Sequence, residues 1–472
     1  MAESVTGPPT QTETTEVVPA SKPALVGWVL YDWAAQPVFL LVLTFFFAPY
    51  FTSQFAPDPI TGGALWGYAI AASGLVVALT SPMLGAIADR TGRRKLWLTG
   101  FSAALIVGSA TLWLATPGAQ HLLPVILLAV VLTFVGAEFT GVFTNAMLPT
   151  LVPTRMVGRL SGIGWSTGYA GALVALAVFL LLLFPVTPGG QTTLLGITSI
   201  MGFTQGTFEA ERFTGPFSAL WYIVFIIPLF LFTPDTPARH AGRIGRAVRD
   251  GLAELWGTVR DVRGNTEMFR FLLARMIYVD GLNAIFAFGG IYATASFGWS
   301  GLPLALFACV LSFTGFFGAV VGGFADDRFG PRRIILVCLV GLLATAAFAL
   351  SVDGNSVGFG LFPAIPANAD APFQSGSEIA FIVAAAGIGL FVGPLQAASR
   401  SYMAHLTPPA KAQEYFGLFA FAGKATSFAA PFLIATVTTL TGSQRIGMSM
   451  IALFLVTGFL LMLTVRPVHQ FR

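Results

Sequence analysis

Six ionisable side chains lie inside apolar runs long enough to cross a lipid bilayer: Asp32, Glu138, Arg275, Asp280, Arg400 and Lys424. A charge in hydrocarbon costs about 3 kcal/mol or more unless it is paired or faces a cavity, so these residues are the first candidates for function. A desolvated carboxylate at Asp32, Glu138 or Asp280 suits a proton or a substrate ammonium. The Arg400 guanidinium can hold a substrate carboxylate in two-pronged fashion, or it can lock Asp32 in one conformation, the preferred role. Lys424 sits about ten residues into its run, too deep to snorkel to the surface, and needs a carboxylate or an anionic solute. Asp280 follows Arg275 by five positions, so the two share no helix face and take partners from other helices. The plainer reading of Asp32 is a structural ion pair with Arg400 or Lys424. Tyr31, Asn145, Tyr278, Asn283, Gln396 and Tyr402 would complete a hydrogen-bonding site, although helix–helix contacts account for each of them singly.

A second group sits in two loops of similar sequence. Gly85-Ala-Ile-Ala-Asp89-Arg90-Thr-Gly92-Arg93-Arg94 is matched by Gly323-Phe-Ala-Asp-Asp327-Arg328-Phe-Gly330-Pro-Arg332-Arg333. An aspartate there can dock on the N-terminus of a helix, where the backbone dipole favours an anion. Glu414 opens one apolar run and Arg159 another, so by symmetry Asp89 is expected on the first and Asp327 on the second. Such contacts would gate one side of the molecule, forming in one state and breaking in the other. The competing reading gives the arginines a topological role only.

Other chemistry finds little support. His121, His240, His405 and His469 are scattered at or beyond the ends of the apolar runs, and Cys309 and Cys338 lie in separate runs. No metal site, cofactor, catalytic residue or nucleic-acid partner is expected. There is no Gly-x-x-x-x-Gly-Lys-Ser/Thr phosphate loop, so energy would come from a gradient.

The elements that must position these groups are legible in the composition. The 472 residues are 55% hydrophobic and 10% charged, with mean hydropathy +0.79. A soluble domain carries about 25% charged residues. Apolar blocks of about 20 residues without period-two alternation specify membrane helices rather than a barrel. Twelve are expected, at about 25–52, 64–88, 95–116, 122–148, 160–185, 216–233, 268–296, 302–325, 332–351, 376–403, 414–440 and 444–466. They divide into six-helix bundles at roughly 25–233 and 268–466, flanked by a disordered tail (1–24) and a short tail (467–472). The linker at roughly 234–267 carries Arg239, Arg243, Arg246, Arg249, Arg260 and Arg263, which suit an amphipathic surface helix. Lys and Arg fall on one side, with only Arg212 and Arg445 in opposite loops, so both termini are expected in the cytoplasm. Trp28, Trp33, Trp66, Trp113, Trp221 and Trp299 are expected as interface anchors, and Pro82, Pro394 and Pro431 as helix interruptions.

The repeated Asp-Arg-x-Gly loop resembles the signature loop of the major facilitator superfamily. More narrowly, Tyr31-Asp32-Trp33-Ala34, Gln396-Ala-Ala-Ser-Arg400-Ser-Tyr402, Glu414-Tyr-Phe-Gly417 and Gly423-Lys424-Ala-Thr-Ser427 resemble the autophagy-related vacuolar effluxer family and its bacterial relatives. The resemblance implies an all-α fold of twelve helices in two pseudo-symmetric six-helix bundles, whose spans 1, 4, 7 and 10 line a central cavity. It implies a monomeric, multi-pass permease moving a small solute, with a neutral amino acid and proton coupling as open readings. Ala35-Gln36-Pro37 departs from the family pattern. A lipid, lysolipid or drug exporter is the alternative within the class; a membrane sensor or a membrane-embedded enzyme lies outside it.

Overall fold

The computed structural model describes residues 18–235, 260, 264–299, 302–363, 373 and 375–467. The expected N-terminal tail up to residue 17, the linker arginines other than Arg260, and the last five residues lie outside the described residues. Twelve helices among the described residues are long and apolar enough to cross a bilayer. They are α1 Lys22–Phe55, α2 Pro59–Thr91, α3 Arg94–Leu114, α4 Gln120–Leu151, α5 Thr154–Leu183, α6 Glu209–Phe232, α7 Thr266–Thr294, α8 Leu306–Phe329, α9 Pro331–Leu350, α10 Gly376–Leu406, α11 Pro409–Thr441 and α12 Gln444–Leu463. A short hairpin, Ser356–Val357 against Phe362–Pro363, lies between α9 and α10.

Local chemistry sets the helix ends. Asp58 accepts from the backbone N–H groups of Ile60 and Thr61 ahead of Pro59, and α2 stops at Gly92 with φ 67°. Ser375 and Glu378 form a reciprocal capping box at the start of α10. Between their ends the helices carry apolar side chains outward, among them Leu75, Leu128, Val337 and Val340. With backbone polar groups satisfied inside each helix, that exterior suits hydrocarbon.

Several expectations need correction. Helix α6 begins at Glu209, well before the expected start near 216, because Glu209 and Glu211 favour a first turn. Arg212, expected in an outer loop, is therefore buried in α6; it donates to the Trp113 carbonyl at 3.2 Å and lies over the Trp113 ring. Arg445, counted among the outer-loop charges, lies in the first turn of α12, whose start at Gln444 agrees with the expected span. Pro82 and Pro394 sit within continuous helices. The break in α11 comes ahead of Pro431, between the pieces Ala412–Lys424 and Ala429–Thr441. Helix α1 is irregular instead, passing into π-helical turns at Val38 just after Pro37.

Within the first half, α3 packs on α4, and α1 on α5 and α6; within the second, α7 packs on α12 and α10 on α8 and α9. The halves meet mainly through α2 on α11, α5 on α8 and α5 on α10. At the opposite end from the Asp-Arg loops, Arg445 joins Asp353 at 2.8 Å. The Arg445 guanidinium holds the Asp353 carboxyl down at about 2. The folded value is depressed, so any stability from this pair is complete above the ordinary carboxylate value and is lost only as pH falls through about 2. Because both side chains are about one-third exposed, Asp353→Asn is expected to change stability by less than about 1 kcal/mol. A shift in melting temperature at pH 7 larger than a few degrees would contradict this.

Candidate functional site

The fold resolves the six intramembrane charges into two ion pairs that cross between the halves, and a flanking group. Arg400 on α10 reaches Asp32 on α1 at 3.0 Å. The same guanidinium donates to Asn145 Oδ1 at 3.0 Å, Ser161 Oγ at 2.9 Å and the Ser161 carbonyl at 2.7 Å. It therefore ties α10 to α1, α4 and α5 at once. Trp28 and Trp165 face it at 4.8 and 5.7 Å from their ring centroids, a cation–π enclosure that excludes water. Small residues open the space: a Cβ at Gly164 would come within 2.7 Å of both Arg400 Nη2 and Asp32 Oδ2.

The second pair joins Lys424 on α11 to Glu138 on α4 at 2.7 Å. Lys424 closes the first piece of the broken α11, where the helix C-terminus favours a cation. Arg275 on α7 lies against the same piece, donating to the Phe419 carbonyl at 2.6 Å and stacking 3.4 Å over the Phe419 ring. Asp280, buried, is set beside Thr426 in the break of α11. Arg275 and Asp280 thus take partners from another helix and not from each other.

The two pairs differ in exposure. The side chains of Arg400 and Asp32 are 3% and 15% exposed; those of Lys424 and Glu138 are 31% and 26% exposed. One is a multiply bonded junction. The other is a single, partly exposed contact.

The Asp-Arg segments lie where the halves touch; Asp89 and Asp327 stand in the last turns of α2 and α8 rather than in loops, because each helix runs on to a glycine, Gly92 or Gly330. Asp89 accepts from the backbone N–H groups of Gln413 at 3.2 Å and Glu414 at 2.8 Å, at the N-terminus of α11. Asp327 accepts from the Arg159 N–H at 3.0 Å and meets the Arg159 side chain at 3.3 Å, at the start of α5. Arg94 lies 4.0 Å from Asp89 and donates to the carbonyls of Ala146 and Pro409, one in each half. Glycines let the backbones meet: Gly85 lies against Gln413 and Glu414, Gly417 against Ser81 and Pro82, and Gly162 against Ala319 and Gly323. Arg332 does not reach this seam; it donates to the Leu463 carbonyl of its own half at 2.9 Å. Arg93 is exposed in a left-handed backbone conformation, Arg90 is half-buried, and Arg328 lies over Phe329. Asp89→Asn removes an anion from a helix N-terminus, a contact worth about 0.3–2 kcal/mol. If the contact gates transport, flux is expected to fall severalfold at equal membrane abundance; wild-type rates would rule out a gating role for Asp89.

The neutral candidates divide. Asn145 joins the Arg400 junction. Tyr31 bonds to Thr140 at 3.0 Å within the first half. Tyr278 bonds to Ser399 and Tyr402 to the Arg466 carbonyl, both within the second half. Asn283 and Gln396 are half-buried, with no side-chain hydrogen bond among the described residues. Trp28, expected at the membrane interface, is instead 1% exposed and donates to the Thr144 carbonyl at 2.7 Å. Ser161, Gly164 and Trp165 also belong to this junction. A serine, a tryptophan and a glycine inside a helix carry no local signal, although their clustering along α5 was visible.

This arrangement of two six-helix halves joined by charged pairs and paired Asp-Arg loops can be set against known proteins. A family model described as "Vacuole effluxer Atg22 like" matches residues 54–470. The chain belongs to the Atg22-like vacuole effluxer family. This Atg22-like protein is 26% identical over 444 residues to the uncharacterized MFS-type transporter YxiO of Bacillus subtilis, covering 92% of this chain and 93% of that one. It is 24% identical over 302 residues to autophagy-related protein 22-1 of Sclerotinia sclerotiorum, covering 61% of this chain and 46% of that one. The chain thus spans about half the length of that fungal relative. Among solved structures, the human organic anion transporter MFSD10 (TETRAN) aligns with TM-score 0.67 at 14% identity, covering 94% of this chain and 100% of that one. FucP in the outward conformation aligns with TM-score 0.62 at 13% identity, covering 94% and 99%. The Atg22-like chain has the major facilitator fold and is an integral multi-pass membrane protein. Its relatives are named as transporters of that class, not as enzymes.

Proposed function

We propose that the protein is a secondary active transporter that carries a small zwitterionic solute of the neutral amino-acid class by alternating access. The observation that carries this reading is the Glu138–Lys424 pair, a partly exposed single contact joining the two halves. A zwitterion brings an ammonium for Glu138 and a carboxylate for Lys424, so it can replace the pair without leaving either charge unmatched. Arg275 and Asp280 flank the same break in α11 and offer a second charge of each sign. The Arg400–Asp32 junction, nearly closed to solvent, would instead fix how the halves meet. Protonation of Glu138 would release Lys424 and supply the coupling to a proton gradient. The Lys and Arg distribution supports an inward-facing Asp-Arg end, which makes the described state closed toward the cytoplasm.

The test is counterflow of radiolabelled leucine, alanine and serine in liposomes loaded with each. Lys424→Gln is expected to lower exchange at least about tenfold, the loss of one charge-assisted contact worth about 1.5–3 kcal/mol. Absence of counterflow for all three, alongside flux of a labelled lysophospholipid, would overturn the amino-acid reading. Accumulation indifferent to an imposed pH gradient would overturn coupling.

A further inference from the structure

The Gly323-Phe-Ala-Asp326-Asp327 sequence holds one carboxylate more than its first-half counterpart, Gly85-Ala-Ile-Ala88-Asp89. Asp327 corresponds to Asp89, and both accept backbone N–H bonds from the opposite half. Asp326 corresponds to Ala88. Both positions are buried, Asp326 at 1% exposure and Ala88 at 0%. The fold therefore needs only a small side chain at this place, and packing does not call for a carboxyl group.

The surroundings of Asp326 do not suit a charge. Neither carboxyl oxygen makes a hydrogen bond of good geometry among the described residues; the buried Ser401 hydroxyl on α10 is set beside the carboxyl and is within its reach. The carboxyl lies in the seam itself: a Cβ on Gly158 of α5, in the other half, would come 2.6 Å from Asp326 Cγ. The charged groups on the elements around it are committed elsewhere. Asp327, next in sequence, adds a second negative charge and already takes Arg159. Arg328 lies over Phe329. Arg400 on α10 is spent on Asp32, Asn145 and Ser161. His405, one turn beyond Ser401, faces the Ser401 and Thr154 carbonyls. An ionised carboxylate buried without a cation is far costlier than a neutral carboxylic acid, and a single serine hydroxyl, which can bond to either form, does not offset the missing charge.

We infer that Asp326 is a proton-binding site built into the seam between the halves, protonated when α5 and α8 are closed and ionised when they part. This rests on the alternating-access reading above, and it is separate from the Glu138 coupling site. Closure takes up one proton, and opening releases it to the same side. The site therefore makes the gate respond to pH on that side and moves no proton across the membrane. The closed state binds the proton more tightly, so closure is favoured at low pH and lost as pH rises. Between the values for the open and closed states, the closed-to-open ratio changes up to about tenfold per pH unit.

The test measures the seam directly and needs no substrate. Spin labels are placed on Arg155→Cys and Arg333→Cys, exposed at the same end on opposite halves, with Cys309 and Cys338 changed to serine, and distances are recorded in liposomes from pH 5 to 8. In the wild-type seam the separated population is expected to grow as pH rises. In Asp326→Asn it is expected to stay small at every pH. If the asparagine variant fails to insert, Asp326→Ala, which copies the first half, takes its place. A wild-type distance indifferent to pH would overturn the proposal, as would an Asp326 variant that keeps the wild-type titration. Titration lost in His405→Gln but kept in Asp326→Asn would assign the response to the histidine and also overturn it. Titration in the absence of amino-acid counterflow would leave this inference standing and refute the substrate reading.

Discussion

Replacing Arg400 with lysine is expected to cut solute flux at least about tenfold, and replacing it with alanine about a hundredfold or more, with membrane abundance unchanged. Arg400 supplies four hydrogen bonds to three residues from a planar fork, reaching α1, α4 and α5 from α10. Lysine keeps the charge but places it as a point, so it cannot serve Asp32, Asn145 and Ser161 together. Alanine leaves the mostly buried Asp32 without its cation, and breaking a buried pair in this way costs about 3–5 kcal/mol. Because the junction joins the two halves, the loss falls on the state in which they are closed. Flux should be measured in liposomes at matched protein content, with the separation of the halves read from the 155–333 label distance. Wild-type flux in Arg400→Lys would mean that the junction is not used in the cycle.

The second large effect concerns the seam's backbone contacts. Gly162→Ala is expected to drive the molecule toward separation at the Asp-Arg end and to depress flux about fivefold or more. A Cβ at this glycine would come 2.5 Å from the Ala319 carbonyl oxygen and 2.6 Å from Gly323 Cα, both backbone atoms of α8 in the other half. Backbone cannot rotate away as a flexible side chain can. Relief comes only from moving α5 off α8, and overpacking of this kind costs about 1–3 kcal/mol, a roughly 5- to 150-fold shift in the closed-to-open ratio. The same label pair reads the outcome. An unchanged distance distribution would show that the seam absorbs the methyl group and that its closeness is not what holds the halves together. Gly63, with open space at its Cβ, is the matched control in α2.

The two substitutions probe different kinds of information in the chain. The twelve helices and the major facilitator fold were legible because a bilayer forces each crossing segment to satisfy its own backbone, so every span is visible in about 20 consecutive residues. The duplicated Asp-Arg loop was legible for a related reason: its parts lie within a dozen residues of each other. Helix ends were read less well. The start of α6 and the break in α11 depend on capping and on packing against α3, α7 and α4, which hydropathy does not report.

The candidate site shows the other limit. That Asp32, Glu138, Arg275, Asp280, Arg400 and Lys424 are anomalous could be seen from sequence, because a charge in hydrocarbon stands out wherever it falls. Which carboxylate meets which cation could not, since Asp32 and Arg400 are 368 positions apart and either Arg400 or Lys424 would have served on charge alone. Tertiary structure decided it through depth and rotation of the helices. Those place Arg400 in the Trp28–Trp165 enclosure and leave Lys424 at a helix break within reach of Glu138. The burial of Trp28, the closeness of Gly162 to α8 and the isolation of Asp326 are likewise properties of surfaces meeting across the halves. The chain by itself determined what must enter the membrane and which residues are costly there; only the packing of the two halves determined how those costs are met.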